Sequence, residues 1–532
     1  MQRCLMALAA WVLMMHAAWA GGFEVVVPGS PFKGLHGLAF DGDGVLHGVS
    51  ITGMSVYKID PETAAVETVV GPPLGVGDDV AFAPDGTMAW TARDAVHVRD
   101  PDGTVRVVAT GVNGVNSINF GPDGRLFFTL IFRADTLYEG YLDGREPRLV
   151  AEGLKGLNGF EITGDGKIIG PQFFGNAIIS VDIETGEIET IAEGIQTPSA
   201  VNLLSNGDII ALGYRTGKVI RIDAMTGETR ELTALEDPPI DNLAIDASDR
   251  VYISHSSHNG LTRLDPDTGE SAQLIWGGLS APGGLAAISL HGREMLLAAD
   301  AWSHRTVDPE TGDVNVLPVG PNVFGSTGIA ADDTRIVLTN TSPAGMVQII
   351  ERGSGNAIAS QFGFGAPYDV VIEPDGSILL ADFAADALVR LGTDEDMTRT
   401  VVAQGLGGPV GVALDGAGHA YVTGYTDGTV RRIDLVTGDT AVVVSGLSQP
   451  EGVALLPSGK LAVADVGTQR LLIINPATGE KESAATDLPI GFDLRGAGPE
   501  PGLFTGVAVS AGGAVFISGD LDNSLVRVSA GN

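Results

Sequence analysis

From residue 23 onward the chain alternates short apolar runs with clusters of Gly, Asp, Asn and Pro. Within the runs, hydrophobic residues either alternate with polar ones or form continuous β-branched stretches. Neither pattern has the three-to-four spacing of an amphipathic helix, so the reading is many short strands. Residues 405–444 show the unit most clearly. Pro409-Val410-Gly411-Val412-Ala413-Leu414 leads through Asp415-Gly416 to Ala420-Tyr421-Val422-Thr423. After Asp427-Gly428 come Val430-Arg431-Arg432-Ile433-Asp434, Thr437-Gly438 and Ala441-Val442-Val443-Val444.

The same unit recurs along the chain. Taking the small or polar residue of each first strand as an anchor gives Ala39, Ala81, Asn119, Glu161, Asn202, Ala244, Ala286, Ala330, Val371, Ala413, Ala454 and Ala508. All intervals fall between 38 and 44 residues except the last, which is 54 and carries an insertion around Asp487–Pro501. Turns recur in phase, as Pro84-Asp85-Gly86, Pro122-Asp123-Gly124 and Pro374-Asp375-Gly376. A four-stranded unit of about 42 residues is a β-propeller blade. The expected fold is all-β: two six-bladed β-propellers in tandem, over 21–277 and 278–532. A ring of twelve, or seven plus five, are the alternatives. An orphan strand, Phe23–Val27, is expected to complete the sixth blade, and Ser271–Trp276 either the twelfth blade or its own.

Composition fits this punctuated chain. Of 532 residues 74 are glycine, and 66 acidic against 31 basic residues give a net charge of −35. That field argues against nucleic-acid and membrane-surface binding. Arg3, the apolar stretch to Ala18 and the small-x-small Ala18-Trp19-Ala20 read as a signal peptide over 1–20, cleaved near Ala20. The expected location is periplasmic or secreted, without a membrane span. The sole cysteine, Cys4, lies in that leader, which excludes disulfides and thiol chemistry from the mature chain. No Walker loop, dinucleotide fingerprint or serine-hydrolase elbow occurs, so no organic cofactor is expected.

In a propeller, residues three before the anchors ring the channel mouth. The first six are His36, Asp78, Asn116, Asn158, Ser199 and Asp241, flanked by Asp79 and Asn242; the second six are Gly283, Thr327, Tyr368, Val410, Glu451 and Thr505. The first ring is wholly polar and oxygen-rich. Asp78, Asn116, Asn158 and Asp241 form a donor set suited to Ca²⁺ or another hard divalent cation, with Asp79, Ser199 and Asn242 in support. The structural alternative is a hydrated mouth whose polar residues cap strand ends. His36, His255 and His258, the latter two on a loop opening at the same end, are candidate general bases. Trp302, His304, Tyr368 and Glu451 could line a groove in the second half, while Asp300, Asp382 and Asp465 read as repeat-structural.

These residues resemble a known family. The repeat is similar to the gluconolactonase, senescence-marker-protein and paraoxonase superfamily of six-bladed propellers and to NHL-type repeats. Gly156-Leu157-Asn158-Gly159-Phe160 resembles its Asn-Gly element, Asp241-Asn242 its Asp-Asn pair and Asp78-Asp79 its acidic pair, with Asn116 at the other asparagine position. The acidic pair here lies in the second unit, and a blade carrying Ser199 intervenes between Asn158 and Asp241. The resemblance implies a metal-dependent hydrolase of a small-molecule lactone or ester. The competing readings are a non-catalytic binding or scaffold protein, with a protein partner for the C-terminal propeller, and a streptogramin-lyase-like lyase.

Overall fold

The computed structural model describes residues 22–236, 238–301, 303–317, 325–341, 345–492 and 501–529. The expected leader and Trp302 lie outside them. The described residues form twelve four-stranded antiparallel sheets. Their only helical turns are Ser256–His258 and Val466–Thr468, and no helix is long and apolar enough to cross a membrane.

Turn chemistry explains both the strands and the acidity. In the hairpin after Leu38–Phe40, Asp41 Oδ1 accepts from the amides of Asp43 and Val45 at 3.0 and 2.9 Å. Between third and fourth strands, Asp182 Oδ1 accepts from Glu184 and Thr185 at 2.9 and 2.8 Å. Asp223, Asp265 and Asp434 repeat that geometry. The backbone amides hold these exposed carboxyls below their ordinary range, so they stay charged and the turns stay acidic.

The chain divides into two compact units, one comprising Ser30–Ala281 and the other the described segment before Ser30 together with Pro282–Phe492 and the chain from Leu503. In the first unit six sheets surround a cavity of about 190 Å³, lined by the anchors Ala39, Ala81, Asn119, Glu161, Asn202 and Ala244 from all six inner strands. This ring closes by side-chain packing. Phe32, Leu35, Leu38 and Tyr57 of the first blade share one core with Ala244, Tyr252, Leu261 and Ile275 of the sixth, and Phe40 meets Tyr252 edge-on at 5.4 Å.

The second unit closes differently, which corrects the expected strand exchange. Ser271–Ile275 stays in the sixth sheet, paired with Gly260–Leu264. Glu24–Val27 pairs with Ser524–Ser529 of the twelfth sheet, Glu24 opposite Arg527 and Val25 opposite Val526. Arg527 Nη2 donates to Glu24 Oε2 at 2.7 Å, so a complementary charge pair fixes the register. The second ring is thus sealed by the pairing of Glu24–Val27 with Ser524–Ser529, and the first ring lies between those strands in sequence.

Around the second hub the inner strands approach backbone to backbone. A Cβ at Gly328 would lie 2.4 Å from Tyr368 O and 2.8 Å from Asp369 Cα, and one at Gly506 would lie 2.4 Å from Gly283 O. Gly328→Ala is therefore expected to destabilise the second unit by about 2–4 kcal/mol, because backbone cannot yield as a side chain can. Denaturant unfolding of the purified variant checks this; an unchanged midpoint would mean the hub is looser than described.

Candidate functional site

Each blade of the first unit delivers its mouth residue at the start of its inner strand or on the loop leading into it, and hydrogen bonds within the blade and to its neighbour fix those positions. Gly37 N donates to Asp78 O at 2.9 Å, and Asp241 N donates to Ser254 O at 3.0 Å. Thr91 Oγ1 donates to Asn116 O at 2.8 Å and receives Asp79 N at 3.1 Å. The mouth residues are thereby held before any ligand arrives.

Two side-chain groups converge there. His36 Nδ1 lies 2.6 Å from Asp241 Oδ2 and 3.5 Å from Asp78 Oδ1, so an imidazole sits between the two carboxylates. Asn116 Nδ2 donates to Asp78 Oδ2. The amide oxygens of Asn116 and Asn158 both accept from Ser117 Oγ, at 3.1 and 2.8 Å, so the two oxygens point to one place. The structure therefore links Asp78, Asn116, Asn158 and Asp241 through His36 and Ser117. The sequence reading did not single out Ser117; its position immediately after Asn116 was the available signal.

One level deeper, Asp79 accepts from Val80 N, Ile118 N and, across the hub, Asn242 Nδ2 at 3.0, 3.2 and 3.1 Å. Asp79 and Asn242 both line the 190 Å³ cavity, so they brace the channel below the mouth. Ser199 is buried, and its hydroxyl donates to Ile240 O at 3.3 Å, which fixes the loop carrying Asp241.

The electrostatics follow from burying like charges together. Burial pushes the Asp78 carboxyl up to about 7; Asp241 adds to the rise, while His36 and Asn116 oppose it. Burial also raises Asp79 well above the carboxylate range. For His36 burial acts downward, but Asp241 and Asp78 outweigh it and the net shift is upward. The imidazolium thus serves as internal counter-ion to the carboxylate pair. Among the described residues no group of three or more His, Cys, Asp or Glu side chains could hold a metal by itself. A cation here would depend on the two asparagine oxygens as well, an all-oxygen set of the kind hard divalent ions accept.

His255 and His258 are placed differently from His36. His255 Nε2 lies 2.9 Å from Thr262 Oγ1, and both rings pack on Trp276, at 5.1 and 4.7 Å. Burial alone lowers the His255 pKa to about 4, with no carboxylate contributing. These contacts set both rings toward the outer strands of their blade and leave His36 as the histidine joined to the acidic pair.

The second mouth is packed. Tyr368 is fully buried against Phe504 and Phe383, at 6.3 and 6.0 Å. Glu451 is buried and accepts from Thr505 N at 2.5 Å. His304 is buried beside Ser326 Oγ at 3.3 Å. Asp382 caps Gly365 N and Ala366 N at 2.9 and 2.7 Å, and Asp465 caps Ser448 N at 2.6 Å. These residues hold the second hub together.

The NHL repeat family matches residues 447–474, which cover three strands of the eleventh sheet. No curated protein sequence matches the chain significantly. Among solved structures, one chain of a nidogen/laminin complex is similar at 22% identity over 42% of this chain and 87% of its own, with a TM-score of 0.36. A gluconolactonase from Xanthomonas campestris is similar at 16% identity over 44% and 87%, with a TM-score of 0.37. The tricorn protease is similar at 13% identity over 94% and 61%, with a TM-score of 0.38. The chain carries an NHL-type repeat within an all-β architecture of twelve blade-like sheets.

Proposed function

We propose that the protein is an exported, divalent-metal-dependent hydrolase of lactones or esters, acting at the mouth of the first ring. The observation that carries this reading is the convergence of Asp78 and Asp241 on His36 Nδ1, beside two asparagine oxygens that share the Ser117 hydroxyl. Asp78, Asn116, Asn158 and Asp241 would hold the ion. When bound, a divalent cation neutralises the carboxylate pair and polarises a carbonyl.

The chain's own residues supply the rest. Asp241 accepts the Nδ1 proton of His36 and fixes its tautomer, which leaves Nε2 as the basic nitrogen of the ring. Once the carboxylates are balanced, nothing holds the imidazole in its charged form, and His36 can act as base near neutrality. Asn158 is kept in place by Gly159 N at 2.9 Å as well as by Ser117, so the amide is oriented before binding.

Elemental analysis of the purified protein is expected to find a divalent ion. Lactone or aryl-ester turnover should be abolished by EDTA and restored by added cation. Asn158→Ala should lower kcat/KM by about 10²-fold, the scale of losing one oriented polar group at a developing charge. A protein that holds no ion and shows no thermal response to Ca²⁺ would overturn this reading.

A further inference from the structure

Four aromatic rings run from the mouth outward over the third to fifth blades. Tyr214 lies closest to the acidic pair: its backbone carbonyl accepts from Ile240 N at 3.1 Å, one residue before Asp241. Burial, then Asp241 and Asp78, raise its phenol pKa. Phe173 meets Tyr214 at 5.6 Å, Phe174 meets Phe173 at 5.2 Å, and Phe132 meets Phe174 at 6.0 Å. Phe173 N and Phe174 N donate to Gly156 O and Lys155 O at 2.9 and 3.0 Å, on the loop that carries Asn158. The outer rings are open, Phe132 being 66% and Phe174 58% exposed. Solvent-facing phenylalanines joined edge to face and leading to a polar centre form a surface for apolar groups.

At the opposite end of the blades, arginines sit on carboxylates: Arg125 on Glu139 and Glu184, Arg221 on Asp208 and Asp267. On the aromatic wall, Arg133, Lys155 and Arg215 are exposed, and the Asp135 carboxylate, the acidic group nearest them, is taken up by the backbone amides of Lys155 and Gly156 at 2.9 and 2.7 Å. In a chain of net charge −35, three exposed cations gathered on one rim offer an anion a local point of attraction.

We propose that this rim binds the body of the substrate, and that the substrate is an anionic compound with an aryl or acyl apolar part. Phe132, Phe173, Phe174 and Tyr214 cover the apolar part, and Arg133, Lys155 and Arg215 attract its charge. The inference rests on the hydrolase reading for the fate of the ligand, but the binding surface itself can be tested without turnover.

Titration calorimetry on the full chain, with 4-phenylbutyrate, its neutral amide and gluconate, separates the contributions. Phenylbutyrate is expected to bind most tightly and gluconate at least tenfold more weakly. Phe174→Ala should weaken phenylbutyrate and its amide alike by about tenfold, the scale of one lost aromatic contact. Arg133→Gln combined with Arg215→Gln should weaken the acid several-fold and leave the amide unchanged, and added salt should mimic this effect. All three positions are exposed, and an unchanged Tm establishes that the variants fold. Gluconate binding as tightly as phenylbutyrate, or phenylbutyrate binding indifferent to Phe174→Ala, overturns the proposal. Phenylbutyrate binding that follows the expected pattern, in a protein that holds no divalent ion and shows no thermal response to Ca²⁺, supports this surface and overturns the hydrolase reading alone.

Discussion

Asp78→Asn is expected to do two opposite things: to remove cation-dependent hydrolysis, by about 10²–10³-fold, and to stabilise the cation-free protein above neutral pH. The second effect follows from linkage. The Asp78 carboxyl is raised from 3.8 to about 7 in the folded protein, chiefly by burial and further by Asp241. Between those values the unfolded chain is ionised at this site while the folded protein still carries the proton. Folding stability therefore falls as pH rises through that window, and the full penalty, on the order of a few kcal/mol, applies above pH 7. His36 acts in the same direction, because its raised pKa means that its contribution is present below 6.5 and lost as pH rises through the folded value. Asparagine at 78 removes the titration and can still accept from Asn116. A divalent ion acts on the wild-type penalty too, since it binds the ionised carboxylates and displaces the proton. Thermal unfolding from pH 5 to 9, with and without Ca²⁺, should show stabilisation by Ca²⁺ that grows up to about pH 7 and levels off. In Asp78→Asn that stabilisation should be absent and the cation-free slope flattened. A variant less stable than wild type at pH 8 in EDTA would show instead that Asp78 is a structural acceptor.

The blades were legible because propeller sequence is local. Asp182, Thr185 and Gly186 form their turn with one another, and the anchors from Ala39 to Ala244 line one cavity because each sits at the same place in its own unit. The mouth positions were legible for the same reason, since a fixed offset from the anchor places a residue at the end of its strand. What could not be read was side-chain direction within loops. His255 and His36 are both on segments opening at the mouth end, but the single helical turn Ser256–His258 and Trp276 draw His255 outward. No periodicity encodes that choice. The aromatic wall was hidden in the same way: Phe132, Phe173, Phe174 and Tyr214 follow second strands of three successive blades, and only their contacts make them one surface.

Strand exchange was illegible for a further reason, and it carries the other large expected effect. Phe23–Val27 is a short run with one charge that fits the open edge of any third strand. Its partner is selected by contacts some five hundred residues away, Glu24 with Arg527 and Val25 with Val526. Deleting residues 22–28 should leave Ser524–Ser529 as an unpaired edge, remove Val27 from a site where it is 2% exposed, and break the Glu24 pair. The twelfth sheet would then have three strands, and the second unit is expected to lose several kcal/mol and to associate through the bared edge. Hydrogen exchange localises the loss: amides of Leu525–Val528 and Val507–Val509 should exchange faster, whereas Leu38–Phe40 and Ser271–Ile275 keep their protection. A synthetic peptide of residues 22–29, added in excess, should restore protection, because the strand contributes through pairing and not through its covalent link to Ser30. Loss of protection in Ser271–Ile275 instead would assign the strand to the first ring.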